Sequence, residues 1–229
     1  MIEVSDVSKR YLRRSVLKGV TFGAEKGHIT CLIGLNGAGK STLLKAIMGL
    51  TPVSGGSILI DDTPPGKEIY GKVSYIPDHL TMPMGMRIAE AFRFMADFYP
   101  NWEPKRANEL LSFFKLDASD KLGNLSKGTA AKLNLLLGFS LRTEYVLMDE
   151  PFSGIDLFSR EAIASVFASD LIEDRGVLMT THEVNEVEHL IDRAVLLGDG
   201  KVIQDFDCER MRSEQGKSIV DVMREAYRR

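Results

Sequence analysis

The sequence predicts an α/β domain whose mainly parallel sheet carries an N-terminal antiparallel portion and is interrupted by a helical lobe. Three observations predict it. Short apolar strands alternate with glycine-bearing turns from residue 2 to residue 76. Between residues 87 and 140 the apolar residues recur at three- to four-residue intervals, the period of amphipathic helices. After Tyr145 the strand and helix alternation returns.

In order, residues 2–7, 16–22 and 29–33 read as strands, with Gly19, Gly23 and Gly27 around the turns. A glycine-rich loop and a helix over 41–50 follow, then strands over 57–60 and 73–76, the latter stopped by Pro77. Ile88, Phe92, Met95 and Phe98 mark one helical stripe, and Leu110, Leu111, Phe114 and Leu116 mark another. Strands over 145–148, 177–181 and 194–197 then alternate with helical stretches over 163–172 and 184–190. The expected division is an α/β core over 1–78 and 143–207, a helical subdomain over 79–142 and a C-terminal helix over 208–229.

Composition excludes several classes. Of 229 residues, 27% are charged and 44% hydrophobic, and the net charge is −3, an ordinary globular balance. Such a charge does not coat nucleic acid or grip anionic lipid. No apolar run reaches the roughly 18 residues of a membrane span. Residues 1–6 have neither the basic start nor the apolar core of a secretory leader. Cys31 and Cys208 make neither a disulfide framework nor a four-ligand zinc site, so a reducing cytosolic compartment is expected.

The strongest motif runs Gly34-Leu35-Asn36-Gly37-Ala38-Gly39-Lys40-Ser41-Thr42, which fits G-x-x-x-x-G-K-[ST] between a strand and a helix. Its glycines let the backbone curl until successive N–H groups point at phosphate oxygens, and the next helix adds its positive end. Lys40 is placed to neutralise β- and γ-phosphates, and the Ser41 hydroxyl to ligate Mg²⁺. A third glycine is missing for a dinucleotide fingerprint, so a nucleoside triphosphate is expected. Tyr145-Val146-Leu147-Met148-Asp149-Glu150 supplies a strand ending in two carboxylates. Asp149 is expected to hold Mg²⁺, and Glu150 to act as general base on the attacking water.

These residues resemble the ATPase subunits of ATP-binding cassette (ABC) transporters across nearly the whole chain. Leu125-Ser126-Lys127-Gly128-Thr129 is similar to the family signature, usually LSGGQ, upstream of Asp149. Ser153-Gly154-Ile155-Asp156 resembles the D-loop, Thr181-His182 the switch histidine, and Tyr11 the aromatic that stacks on adenine. No N-K-x-D base-reading motif of GTPases is found. Physically, Ser126 can cap the helix that follows and offer its hydroxyl, nearby N–H groups and the helix dipole to an anion. The resemblance implies that this anion, met by Ser126 and Gly128, is the γ-phosphate bound by an opposite subunit in a head-to-tail dimer. That partner is a second copy or a paralogous ATPase subunit.

Three positions depart from the family pattern. Asp78 stands where a glutamine is usual; its carboxylate can meet Mg²⁺ or its waters but adds negative charge. Lys127 replaces a signature glycine and Thr129 the signature glutamine. Residues 98–103 together with 125–128 resemble a bacterial exporter branch (ABC-2). Met82, Met84, Met86, Phe92, Phe94, Met95, Phe98, Tyr99 and Trp102 make the lobe rich in adaptable and aromatic side chains. About two thirds of them are expected in the lobe's own core. The resemblance implies that the lobe also docks a separate transmembrane permease subunit. That would place the chain in the cytoplasm, peripheral on the inner face of the membrane. A second reading is a soluble ABC-type ATPase acting on nucleic acid or the translation apparatus. The near-neutral charge and the absence of a coiled-coil insertion speak against it. A third, a binding-only module, conflicts with Glu150 and His182 both being present.

Overall fold

The computed structural model describes residues 1–167 and 174–227. The chain opens with β1 (Ile2–Tyr11) and β2 (Arg14–Ala24), antiparallel and joined by a turn at Leu12 and Arg13. Leu12 has a φ of 51°, the left-handed geometry that tight hairpin loops require. β3 (Ile29–Ile33) leads through residues 34–39 into α1 (Lys40–Ile47). β4 (Gly55–Ile60) returns antiparallel beside β1, completing a three-stranded sheet in the order β2-β1-β4.

α2 (Ile69–Lys72) and β5 (Val73–Ile76) precede the lobe, which consists of α3 (Ile88–Phe98), α4 (Pro104–Phe113) and α5 (Lys127–Phe139). The chain continues through β6 (Tyr145–Asp149), α6 (Leu157–Phe167), β7 (Gly176–Thr181), β8 (Arg193–Gly198) and β9 (Lys201–Asp207). It closes on α7 (Cys208–Gln215) and α8 (Ile219–Tyr227). The second sheet has the order β5-β6-β7-β3-β8-β9, parallel from β5 to β8, with β9 antiparallel.

The parallel strands are buried on both faces, so they read as continuous apolar runs. Alternation within them sorts the core into two halves. Cys31, Ile33, Val146, Met148 and Met179 face the lobe, while Leu32, Tyr145, Leu147 and Leu178 face α1 and the antiparallel sheet. Of the nine Met and aromatic residues singled out in the lobe, Met95 and Trp102 are buried. Met82, Met86, Phe92, Phe94 and Tyr99 pack against the same core, leaving Met84 and Phe98 exposed.

Four elements differ from expectation. Residues 184–190 form two single 3₁₀ turns, Val184–Glu186 and Glu188–Leu190, rather than a continuous helix. β9 carries a half-polar sequence suited to a sheet edge, which hid it. The C-terminal segment is two helices, not one, because Gly216 takes a left-handed φ of 64° and ends α7. α6 begins at Leu157, well before residue 163, because Asp156 accepts from the Ser159 backbone N–H at 2.9 Å and from its hydroxyl at 2.7 Å. The part of that expected helix over 168–172 lies outside the described residues.

Candidate nucleotide-binding and hydrolysis site

Parallel strands all present their carboxyl ends on one edge, where ligands of open α/β sheets bind. The topology therefore gathers four segments that are distant in sequence. The phosphate loop follows β3, Asp149-Glu150 ends β6, Thr181-His182 ends β7, and Pro77-Asp78 follows β5.

In the loop, Leu35, Asn36 and Gly37 are exposed while Gly34, Ala38, Gly39 and Lys40 are buried, with Ser41 and Thr42 between. Gly39 has a φ of 107°, and a Cβ there would lie 2.8 Å from Leu17, so only glycine fits. α1 begins beyond it with no side-chain cap and no acidic residue in its first turn. Its unpaired N–H groups and its dipole are thus left to an anion. The Lys40 ammonium donates to Gly34 O at 2.6 Å and lies 3.1 Å from Glu150 Oε1.

Glu150 joins three motifs. Its other carboxylate oxygen lies 2.8 Å from His182 Nδ1, which must carry the proton because a carboxylate only accepts. Its φ of 49° is left-handed, unusual for a non-glycine residue, and such strain persists where surrounding contacts impose it. One such contact is the Thr180 hydroxyl, which accepts from the Glu150 backbone N–H at 2.9 Å and donates to Asp149 Oδ1 at 2.7 Å. Tyr75 donates to Asp149 Oδ2 at 3.5 Å. Burial, then the charges of Asp149 and Asp78, push the Tyr75 phenol up, so it stays a donor. Asp149 is only 3% exposed.

Thr180 and Tyr75 were missed in the sequence because each is an ordinary strand residue; only the pairing of Asp149 with Thr180 across β6 and β7 reveals the first. Thr180→Val keeps the shape but deletes both hydrogen bonds. Turnover is expected to fall about 10- to 10²-fold as the two carboxylates lose their alignment, with Thr180→Ser restoring it. Steady-state ATPase rates of the two variants check this.

The signature is built differently. Ser126 caps α5, accepting from the Thr129 N–H at 3.1 Å, and its hydroxyl lies 2.7 Å from that of Thr129. Thr129 therefore holds the Ser126 hydroxyl. A Cβ on Gly128 would lie 2.7 Å from Asp156 and would collide with Ser159, so glycine lets α5 pack against the start of α6. Lys127 reaches over Gly154, the D-loop glycine. Lys127 also lines a groove with Asp78, His79, Glu150, Pro151 and Ser153, a groove in which no phosphate-loop residue takes part among the described residues. Leu125 and Lys127 of the signature thus share a groove with Glu150.

Two remaining candidates sit at the margins. Tyr11, at the end of β1, is half exposed; the Lys9 ammonium lies 4.7 Å from its ring centroid and its hydroxyl 3.4 Å from Thr51 Oγ1. Asp78 is exposed and its carboxylate meets His79 Nδ1 at 2.6 Å rather than Asp149 or Ser41.

A phosphate loop after a central strand, with a buried strand-end aspartate and a following glutamate beside it, defines a P-loop nucleoside triphosphatase. The family model described as "ABC transporter" matches residues 17–153, and the chain belongs to that family. It is an ATP-binding, ATP-hydrolysing subunit of the kind that powers a membrane transporter. It is similar to the ABC transporter ATP-binding protein YtrB of Bacillus subtilis, 29% identical over 93% of this chain and 74% of that one. The linearmycin resistance ATP-binding protein LnrL of the same organism is 31% identical, over 89% and 68%. A solved ATP-binding subunit of an ABC transporter superposes with a TM-score of 0.89 at 31% identity, covering 99% of both chains. The alternative in which the chain acts on nucleic acid is left without support.

Proposed function

We propose that the chain binds ATP with Mg²⁺ on the sheet edge described above and hydrolyses it in a head-to-tail dimer that drives export. The contact that carries this reading is the meeting of Lys40, Glu150 and His182 within 3.1 Å on one glutamate. Residues 36–42 would wrap the phosphates, with Lys40 passing from Glu150 to the β- and γ-phosphates. Glu150, freed of its cation and still oriented by His182, would take the proton of the attacking water. Tyr11 would stack on the base.

The donor set fits Mg²⁺. Asp149 is a buried carboxylate with no cation against it among the described residues, hydrogen-bonded only by the Thr180 and Tyr75 hydroxyls. A buried charge of this kind calls for a positive partner. Ser41 and Asp149 would hold the ion, with Asp78 reaching it or its waters, and all three offer the oxygen ligands Mg²⁺ takes. When bound, the ion neutralises phosphate charge.

Ser126 and Gly128 would meet the γ-phosphate held by the opposite subunit, where the uncharged cap of α5 offers its hydroxyl and N–H groups. Ser126→Arg is expected to abolish hydrolysis while the monomer's ATP affinity stays nearly intact. Titration and turnover measured on the same preparation check this, and defects that always appear together would refute the shared site.

The permease subunit would dock where the core meets the lobe. There Met48, Leu50, Tyr70, Tyr75, Met82 and Tyr99 line a groove of about 290 Å³, with Phe98 exposed on the adjoining helix. No helix among the described residues is long and apolar enough to cross a membrane. Attachment at the inner face would therefore come through that partner. The export direction is supported by a relative, the SkfA peptide export ATP-binding protein SkfE of Bacillus subtilis, 28% identical over 90% of this chain. Co-purification of a membrane subunit with the chain, free of nucleic acid, is the corresponding test.

A further inference from the structure

The phosphate loop has a support that no motif announces. α8 ends at Tyr227, whose hydroxyl lies 3.0 Å from Leu197 O and 3.3 Å from Ile33 O. Ile33 is the last residue of β3, directly before the loop, and Leu197 lies one residue from the end of β8. The same Leu197 carbonyl sits where a Cβ on Gly34 would come within 2.5 Å. The first glycine of the loop therefore rests on an oxygen that Tyr227 holds. The phenol ring lies alongside the end of β8, where a Cβ on Gly198 would come within 3.5 Å of its Cε1. Burial pushes the Tyr227 pKa up to about 12, so the hydroxyl keeps its proton to donate.

The other end of α8 is anchored on the switch side. The Ile219 N–H donates to Glu188 Oε1 at 2.7 Å, and Val220, Met223 and Tyr227 face His182 and Glu183 across a shallow groove. The helix thus spans from the segment after β7 to the base of the phosphate loop.

We propose that Tyr227 is a positioning residue for the phosphate loop, setting nucleotide affinity by fixing Ile33 and Leu197 at the point where the loop departs. It does not touch the nucleotide. Converging N–H groups bind phosphate only while the loop keeps its curl, and that curl starts from these two carbonyls. The proposal rests on the phosphate-loop assignment above.

Tyr227→Phe keeps the ring and removes the hydroxyl. The Kd for ADP and the KM for ATP are expected to rise about three- to tenfold, the loss of one hydrogen bond, with kcat within about twofold. A lower melting temperature with unchanged Kd and KM would mean a merely structural role and would overturn the proposal. Glu188→Ala loosens the opposite end of α8 and is expected to leave the ADP Kd unchanged. Equal losses in both variants would shift the effect from the hydroxyl to helix docking and overturn it too. Lys40→Ala in the same titration tests the loop assignment separately, since ADP binding at the wild-type level there removes the premise.

Discussion

Glu150→Gln is expected to slow hydrolysis about 10²–10⁴-fold, the contribution of a positioned general base, while nucleotide binding survives. Gln is nearly isosteric, and its carbonyl oxygen can still accept from Lys40 or from His182 Nδ1, so the arrangement around the left-handed residue is kept. What it cannot do is take the proton of the attacking water. ATP would be gripped by the phosphate loop of one subunit and the signature of the other, with the step that releases them blocked. The expected product is a head-to-tail dimer holding two ATP molecules. Size-exclusion chromatography with Mg-ATP, with ATP plus chelator, and with ADP reads it directly. The dimer should form in the first condition and fall away in the other two. The Asp78 carboxylate, which lines a groove with Glu150, would sharpen the dependence on metal by adding negative charge. A monomer in all three conditions, together with unchanged turnover, would remove Glu150 from its role.

Lys40→Ala is expected to abolish hydrolysis and weaken ATP binding by about 10²-fold or more. A hydrogen bond to a charged group contributes roughly 1.5–3 kcal/mol, and in the proposed site this ammonium would reach two phosphates. Among the described residues no other buried cation stands at the loop. The variant also strips Glu150 of a partner 3.1 Å away, leaving the hydrogen bond with His182 Nδ1. A melting curve run beside the activity assay separates loss of the site from loss of the fold. Normal turnover in a folded Lys40→Ala protein would refute the assignment of residues 34–42.

The residues that chemistry demands at fixed spacing were the most legible. A curled glycine loop needs its glycines, a phosphate clamp its lysine, and a strand-end metal site its carboxylate, so these announce themselves in a single chain. Supporting residues did not. Thr180 is an ordinary β-branched strand residue until the pairing of β6 with β7 sets it opposite Asp149. Thr129, noted as a departure from the signature, turns out to hold the Ser126 hydroxyl through a local cap. The Asp78 carboxylate meets the adjacent His79, a contact its sequence neighbour made available but did not require.

The division follows from the range of the forces involved. Helix period, turn chemistry, capping and the phosphate loop are properties of a few consecutive residues, and they are written in the order of the chain. The meeting of Lys40, Glu150 and His182, the grip of Thr180 on the Asp149 carboxylate and the Glu150 backbone, and the reach of Tyr227 to Ile33, 194 residues away, are different in kind. They exist because parallel pairing brings strands with intervening helices to one edge and core packing fixes their register. Register and packing depend on the whole apolar surface being buried at once, and no local pattern states how that burial is solved.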